Sequence, residues 1–585
     1  MIDVNELPHI DTLKDIESNF KIYAGPGAGK TTWLSSHLER VQKKSKRLGK
    51  TGQIGCITYT NVAADEIIDR LECDQTRFDI STIHSFLYRN IVKPFSYLIE
   101  TDLDGNDLFN ISKLNGHDEH FVHGSRLSRW VNTINKNNKN YWYLLSPNNR
   151  DDVATELTSL NYEIEGKEVQ LSINQHRGAR IPRSNGELWE YKLKYWSDGI
   201  MHHEDVLYFS YLIINKSEEV LKFIQTKFPY IFVDEFQDTT QLQTWILDKI
   251  AEQGTKIGIV GDLGQSIYKF AGAVRTDFIE FKEGEISSFK LDHNHRSSHK
   301  ITDFLNELRN DINQSYGDDT GEGSTVKVLI GSIDLAKKWF NQNHPDKILY
   351  ILTRSNASVS TFKGHLGITT DDKINEMYAN DSNGHRSKLI HSILKGVKYR
   401  EKHDFNNSIK EVLRPLKRIG RDELRELDLR KIAIEILDNL SVKEKRKQSV
   451  YNFYMELKSR ISEEYNLKIG AALNSGNAKT FYENNTLTEL LPYVKVDTKS
   501  DDRIRTIHSA KGTEFKNTLV HFDTIEDFRN YILNAPSYIN ASEDDGRIYY
   551  VACSRAENNL FINIPEATPE DVELIESMNL EPISV

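Results

Sequence analysis

The stretch "KIYAGPGAGKTTWL", residues 21–34, decides the fold. An apolar run ends at Ala24, glycines stand at 25, 27 and 29, and the amphipathic run "TWLSSHLERVQ" follows. That order predicts a strand, a tight turn and a helix. Glycines let backbone N–H groups close on phosphate oxygens, and the helix start favours an anion. The predicted nucleotide cradle is Ala24, Gly25, Gly27, Gly29, Lys30, Thr31 and Thr32. Within it Lys30 reaches the β- and γ-phosphates and Thr31 holds Mg2+. The competing reading is a glycine-rich turn without a ligand. Kinases, transporters, GTPases and motors share such a loop, so it leaves open what hydrolysis moves.

Working outward, short apolar runs recur at both ends of the chain: "IGCITYT", "YIFVDE" and "KIGIVGD", then "VKVLIG", "KILYILT", "NTLVHF" and "LFINI". Amphipathic stretches such as "LQTWILDKIAE" separate many of them, which predicts an α/β fold of parallel sheets with helices on both faces. Residues 89–199 are rich in Asn, Tyr and Trp, and residues 376–496 are charged and helical in pattern. The expected plan is two α/β cores, each interrupted by a mainly helical insertion.

The chain has 585 residues, 38% hydrophobic and 28% charged, a composition suited to globular cores. Lys+Arg 75 against Asp+Glu 86 gives a net charge of −11, so a nucleic-acid surface has to be a local patch. Cys56, Cys73 and Cys553 form no CxxC pair and no metal-ligand spacing, which predicts reduced thiols. The polar, acidic start "MIDVNELPHIDTLK" does not read as a signal peptide, and no apolar run reaches the roughly 18–20 residues of a membrane helix. A cytoplasmic location without membrane contact is the expectation.

Two further stretches carry chemistry. "YIFVDEFQDT" ends a strand in Asp234 and Glu235: one carboxylate can hold Mg2+ while the other polarises the attacking water. "IVGDLGQSIYKFAGA" (259–273) delivers Gln265 to the same sheet edge as a γ-phosphate sensor, with the rings of Tyr268 and Phe270 beside it. Taken singly, an acidic pair at a strand end is as often a solvated surface, and two rings in a turn are more often core.

Together, "VDEFQDTTQLQ" and "VGDLGQSIYKFAGA" resemble the UvrD/Rep/PcrA helicases of superfamily 1, and the resemblance continues in order. "ITYTNVAADEIIDRL" (57–71), "STIHSF" (81–86), "HEDVLYF" (203–209), "LDHNHRSS" (291–298), "ILTRSNAS" (351–358), "IRTIHSAKGTEF" (504–515) and "YYVACSRA" (549–556) complete the set. The resemblance implies two RecA-like cores, the first (1A) from 1–88 and 200–278 and the second (2A) from 279–375 and 497–585. The insertions would be 89–199 (1B) and a reduced 376–496 (2B). It implies catalytic roles for Lys30, Glu235, Gln265, Arg296 and Arg555, with both arginines directed at the γ-phosphate. It implies Thr31 and Asp234 on Mg2+, Glu514 facing the ribose, and Tyr59, His84, Phe270, Arg354 and His508 along single-stranded DNA. Rings stack on bases of any sequence, so a motor can grip without reading. Basic clusters at 43–47, 414–421 and 443–447 are candidate duplex contacts, although such clusters are usually solvated faces.

This sequence departs from the family pattern in places. Residues 1–23 hold no glutamine, Thr32 stands where Arg is common, and His295 where Tyr is usual. These changes remove contacts to the base, so a weaker preference for ATP over other nucleoside triphosphates is expected. Phe270-Ala271 replaces a Trp-Arg pair, and Gly546 one of two arginines. No nuclease module is found in the sequence, so cutting would need a partner.

The expected activity is an ATP-dependent translocase or helicase on single-stranded DNA and duplex junctions, moving 3′ to 5′ on the family's pattern. The alternative is a DNA-stimulated NTPase that regulates a partner nuclease. Compact UvrD-like members serve so in antiphage defence, as in Gabija systems with GajB, and this chain is similar in size and plan. A P-loop ATPase unrelated to nucleic acid is the third reading.

Overall fold

The computed structural model describes residues 5–6 and 13–585 except 115, 118–119, 121, 123, 136–139, 147–148, 167, 175–177, 183, 356–357, 360, 363–371, 382, 421–423, 425, 468, 470–472, 474, 495, 497–502 and 540–543. Two units divide the chain: Met1–Arg354 with Thr506–Val585, and Ser355–Arg505.

The first unit holds two parallel sheets. One has seven strands in the order Asn5–Glu6, Ser287–Leu291, Phe20–Ala24, Lys256–Gly261, Tyr230–Val233, Ile54–Thr58 and Phe78–Thr82. Every pair is parallel, with Tyr23 opposite Gly261, Ile259 opposite Val233 and Val233 opposite Ile57. All the carboxyl ends therefore emerge at one edge, where the segments after Ala24, Thr58, Val233 and Gly261 lie side by side. Ligands of open α/β sheets bind at such an edge. The central strands Lys256–Gly261, Tyr230–Val233 and Ile54–Thr58 are buried on both faces, which explains why they read as continuous apolar runs rather than alternating ones.

The second sheet has six strands, and five of them, Tyr350–Thr353, Phe515–His521, Ala556–Ile564, Lys327–Ile330 and Glu581–Ser584, run in that order, again parallel. Phe515 sits opposite Ala556, so Glu514 and Arg555 are neighbours at the amino-terminal edge. Arg354 follows Thr353 at the opposite, carboxyl edge.

The strand Ser287–Leu291 lies beyond the expected boundary at 279. It pairs with Phe20–Ala24 and so belongs to the first sheet. The segment 89–199 has helices Gly124–Asn135, Arg150–Thr158 and Asn185–Trp196, but also an antiparallel hairpin, Leu160–Glu165 with Glu168–Ile173. Its many aromatic residues build its core: Trp130, Tyr162, Tyr191, Tyr195 and Trp196 are fully buried.

Asp205, in the "HEDVLYF" motif, joins this insertion to the first core. Its carboxylate accepts from Tyr162 Oη (2.6 Å), Trp196 Nε1 (2.9 Å) and the His202 N–H (2.8 Å), and it pairs with the buried Lys192. Burial opposes the charge, but Lys192 and His202 outweigh it and hold the carboxyl well below the usual range.

The second unit is a helical body around its own core of Leu389, Ile393, Leu416, Ile432, Ile436, Tyr454 and Leu490, among others. Its long helices are Gly384–Glu401, Phe405–Gly420, Glu426–Ser441 and Val450–Tyr465. It is broader than the expected 376–496. No helix among the described residues is long and apolar enough to cross a membrane.

Candidate functional site

The loop after Phe20–Ala24 turns through two left-handed glycines, Gly27 (φ 68°) and Gly29 (φ 72°), into the helix Lys30–Lys44. A side chain at Gly27 would meet Asn294 Oδ1 at 2.5 Å and Arg296 Cβ at 2.6 Å, and one at Gly25 would collide with Gln314. Segments beyond the first sheet thus pack directly on the loop. The His295 N–H donates to Gly27 O (2.9 Å), and Gln314 Nε2 to Pro26 O (3.0 Å). The helix is anchored by Trp33, Leu34, Leu38 and Val41, all buried, which fixes its amino end over the loop. No side chain caps that end, so its N–H groups face the cradle.

Lys30 Nζ lies 3.6 Å from Glu235 Oε1. Glu235 is a non-glycine residue held at φ 52°, a left-handed conformation that costs about 1–3 kcal/mol and is found where side-chain direction matters. Gln237 Nε2 donates to Glu235 Oε2, fixing the carboxylate further. The two adjacent acids diverge electrostatically. Burial, reinforced by Glu235, pushes the Asp234 carboxyl up. Burial also opposes the charge on Glu235, but Lys30, Lys511, Gln237 and Arg555 prevail and hold that carboxyl low.

The second core closes on this edge. Arg555, 2% exposed, donates from Nη2 to Gln265 Oε1 (2.9 Å), and Gln265 Nε2 donates to Asp262 Oδ2 (2.7 Å). Burial, then the neighbouring Arg296, pulls the Arg555 guanidinium down to about 9. Arg296 is turned into Glu514: Nε donates to Glu514 Oε1 at 2.6 Å, and Nη1 to Ser554 O at 3.2 Å. These two residues, expected to face phosphate and ribose, are thus paired with each other here. Thr31 is half-buried at the helix start; Thr32 is exposed and accepts from Arg70 Nη1 (2.6 Å), which is also paired with Glu66.

Several residues that the sequence did not single out complete the site. Lys511 Nζ crosses between the cores to Asp238 and to Gln265 O (2.7 Å), and lies 4.8 Å over the Tyr268 ring. Burial, with Glu235 adding and Lys511 opposing, pushes the Asp238 carboxyl up to about 7. Arg309 and Arg547 make further crossings, to Asp262 and to Ser266 O. A lone Lys or Arg carries no local pattern, so only "SAKG" signalled any of them.

The expected DNA residues fall into two groups. Tyr59, 42% exposed, stacks on Tyr268 (4.7 Å), Tyr268 adjoins Phe270 (5.9 Å), and Phe270 meets the His508 ring edge-on (5.4 Å). This aromatic row has Tyr59, Tyr268 and Phe270 on the first core and His508 on the second. His84 and Arg354 stand outside the row: His84 faces Glu204 at 3.7 Å, and Arg354 pairs with Asp545. Several residues of the basic clusters pair with acids: Lys43 with Glu39, Arg47 with Glu17, and Lys447 with Glu444, while Arg446 is buried on Glu401. Part of 414–421 lies outside the described residues.

Family comparison agrees with this arrangement. Residues 9–284 match the UvrD/REP helicase N-terminal domain, and residues 443–566 match the UvrD-like helicase C-terminal domain, together more than half of the chain. The chain belongs to the UvrD/Rep helicase family. Among its relatives, the ATP-dependent DNA helicase PcrA of Bacillus subtilis is 26% identical over 52% of this chain and 39% of its own length. A probable DNA helicase II homolog of Mycoplasma genitalium is 22% identical over 92% of this chain and 82% of its own length. The Gabija protein GajB of Bacillus cereus is 26% identical over 61% of this chain and 57% of its own length. The chain thus matches less than two thirds of PcrA and of GajB, and most of the Mycoplasma protein. In this family member the glycine loop, the acidic pair and the second-core arginines meet at one sheet edge.

Proposed function

We propose that this chain is an ATP-driven motor that travels 3′ to 5′ along single-stranded DNA and separates duplex ahead of it. The observation that carries the reading is the Gln265–Arg555 contact of 2.9 Å, which joins the two cores beside Lys30 and Glu235. Triphosphate bound in the loop is held by the N–H groups of the helix start and by Lys30. Glu235, kept ionised, accepts the proton of the attacking water, and the Gln265 amide orients that water. Arg555 and Arg296 neutralise charge that builds on the transferring phosphoryl group, an effect worth about 10³–10⁵ in rate in other systems.

The oxygen donors Thr31 and Asp234 suit Mg2+, a hard cation that takes oxygen ligands. That ion supplies neutralisation of the β- and γ-oxygens when bound. Because both arginines come from the second core, triphosphate favours closure and hydrolysis relaxes it. The aromatic row spans both cores, so each cycle shifts His508 against Tyr59 and Phe270 on the strand.

The test is steady-state hydrolysis with and without oligo(dT). At least tenfold stimulation by DNA, abolished in Lys30→Ala, is expected. Hydrolysis indifferent to DNA, or undiminished in Lys30→Ala, contradicts the reading.

The match to GajB over 61% of the chain favours a second reading, in which DNA-stimulated hydrolysis regulates a partner nuclease in antiphage defence. That reading predicts DNA-stimulated hydrolysis without strand separation by the chain alone.

A further inference from the structure

Arg309 follows the helix His299–Glu307 in the second core, and its side chain is 3% exposed. All three of its guanidinium nitrogens donate. Nη1 donates to Asp262 Oδ1 (2.9 Å) and to Tyr550 Oη (3.0 Å), while Nε and Nη2 donate to the two oxygens of Asp311 (2.7 Å each). The guanidinium also lies 5.2 Å from the Tyr550 ring centre. Asp262 belongs to the first core, at the end of the strand that delivers Gln265. Its Oδ1 also accepts the Gly264 N–H (2.9 Å), and its Oδ2 accepts Gln265 Nε2 (2.7 Å). Gly264 has no room for a side chain, because a Cβ there would sit 2.9 Å from Arg309 Cζ. The guanidinium is therefore packed flat on the turn that carries Gln265.

We propose that Arg309 is a positioning residue for hydrolysis: it reaches from the second core, fixes the Asp262 carboxylate, and through it sets which face of the Gln265 amide points at Arg555. With Nε2 committed to Asp262, Oε1 is left for Arg555, as observed. The Asp262 carboxylate that orients the amide is thus itself held by a contact that exists only when the two cores are together. A planar fork is needed for this, since one group must hold Asp262, Tyr550 and Asp311 at once; an ammonium keeps the charge and loses the geometry. Opening of the cores frees the amide to rotate, so chemistry is confined to the closed arrangement. The proposal rests on the reading of the chain as a DNA-stimulated ATPase.

The experiment uses the full chain with ATP and oligo(dT). Arg309→Lys retains the buried charge; its kcat is expected to fall tenfold or more, with KM for ATP and DNA affinity within threefold of wild type. Asp311→Asn cuts only the far arm of Arg309 and is expected to lower the thermal midpoint while keeping kcat within threefold. In the Gln265→Ala background, Arg309→Lys is expected to add no further loss of kcat. A merely structural arginine would instead lower kcat and thermal midpoint in parallel in both Arg309→Lys and Asp311→Asn. Unchanged kcat in Arg309→Lys, that parallel loss, or losses that multiply in the double variant overturn the proposal alone. Absence of hydrolysis by the wild-type chain overturns the functional reading, and this proposal with it.

Discussion

Arg296 and Glu514, distant in sequence, form an ion pair between the glycine loop and the second sheet, with Nε 2.6 Å from Oε1. Glu514 is half-exposed, so the pair is worth at most about 1 kcal/mol. An incoming γ-phosphate competes with Glu514 for the guanidinium. Glu514→Gln is therefore expected to tighten ATP binding relative to ADP by about two- to fivefold. Equal weakening of both nucleotides would assign Glu514 to the ribose instead, and titration of a fluorescent nucleotide decides between them.

Phe270 is 49% exposed and caps the aromatic row against His508. Phe270→Ala is expected to weaken oligo(dT) binding by about 1–3 kcal/mol, the usual value of one stacked base. Hydrolysis without DNA should hardly change. Fluorescence anisotropy at fixed salt measures the first quantity, and unchanged affinity removes Phe270 from the DNA path.

Asp205 is the only anion that touches the buried Lys192 among the described contacts. Asp205→Ala leaves that ammonium without its partner and orphans the Tyr162 and Trp196 donors. A loss of about 3–5 kcal/mol in unfolding free energy is expected, read from urea denaturation. A loss below 1 kcal/mol would contradict the buried-pair account.

His37 is buried between Trp33, Phe20 and Phe232, and neither ring nitrogen has a hydrogen-bond partner among the described residues. Burial, with Arg40 adding, holds its pKa down to about 3, so the folded chain refuses a proton that the unfolded chain takes up below about 6.5. The stability from this group is complete above that value. It is lost as pH falls towards 3, at up to about 1.4 kcal/mol per pH unit. His37→Leu should flatten the stability profile between pH 6.5 and 4, and an unchanged slope would show that other groups set it.

Local patterns made much of this legible. The glycine spacing at 25–29 and the acids at 234–235 sit at strand ends, where the change from apolar run to polar turn can be read within ten residues. Parallel sheets were legible for the same reason, since strands buried on both faces read as apolar runs. The strand Ser287–Leu291 was missed because "SSFKL" is half polar and lies at a thinly covered position in the sheet. Arg309, Lys511 with Asp238, and Gln314 on Pro26 were invisible because each contact joins residues far apart in the chain, and single charged residues announce no partner. The pairing of Arg296 with Glu514 was likewise beyond the motifs, which assign residues to a ligand and not to each other.

The central claim, an autonomous motor with one direction, is tested most directly by unwinding. The purified chain, ATP and Mg2+ are presented with duplexes that carry a 3′ or a 5′ single-stranded tail. Strand separation from the 3′ tail alone is the predicted result. DNA-stimulated hydrolysis with no separation from either tail would contradict it and place the chain as a regulator of a partner.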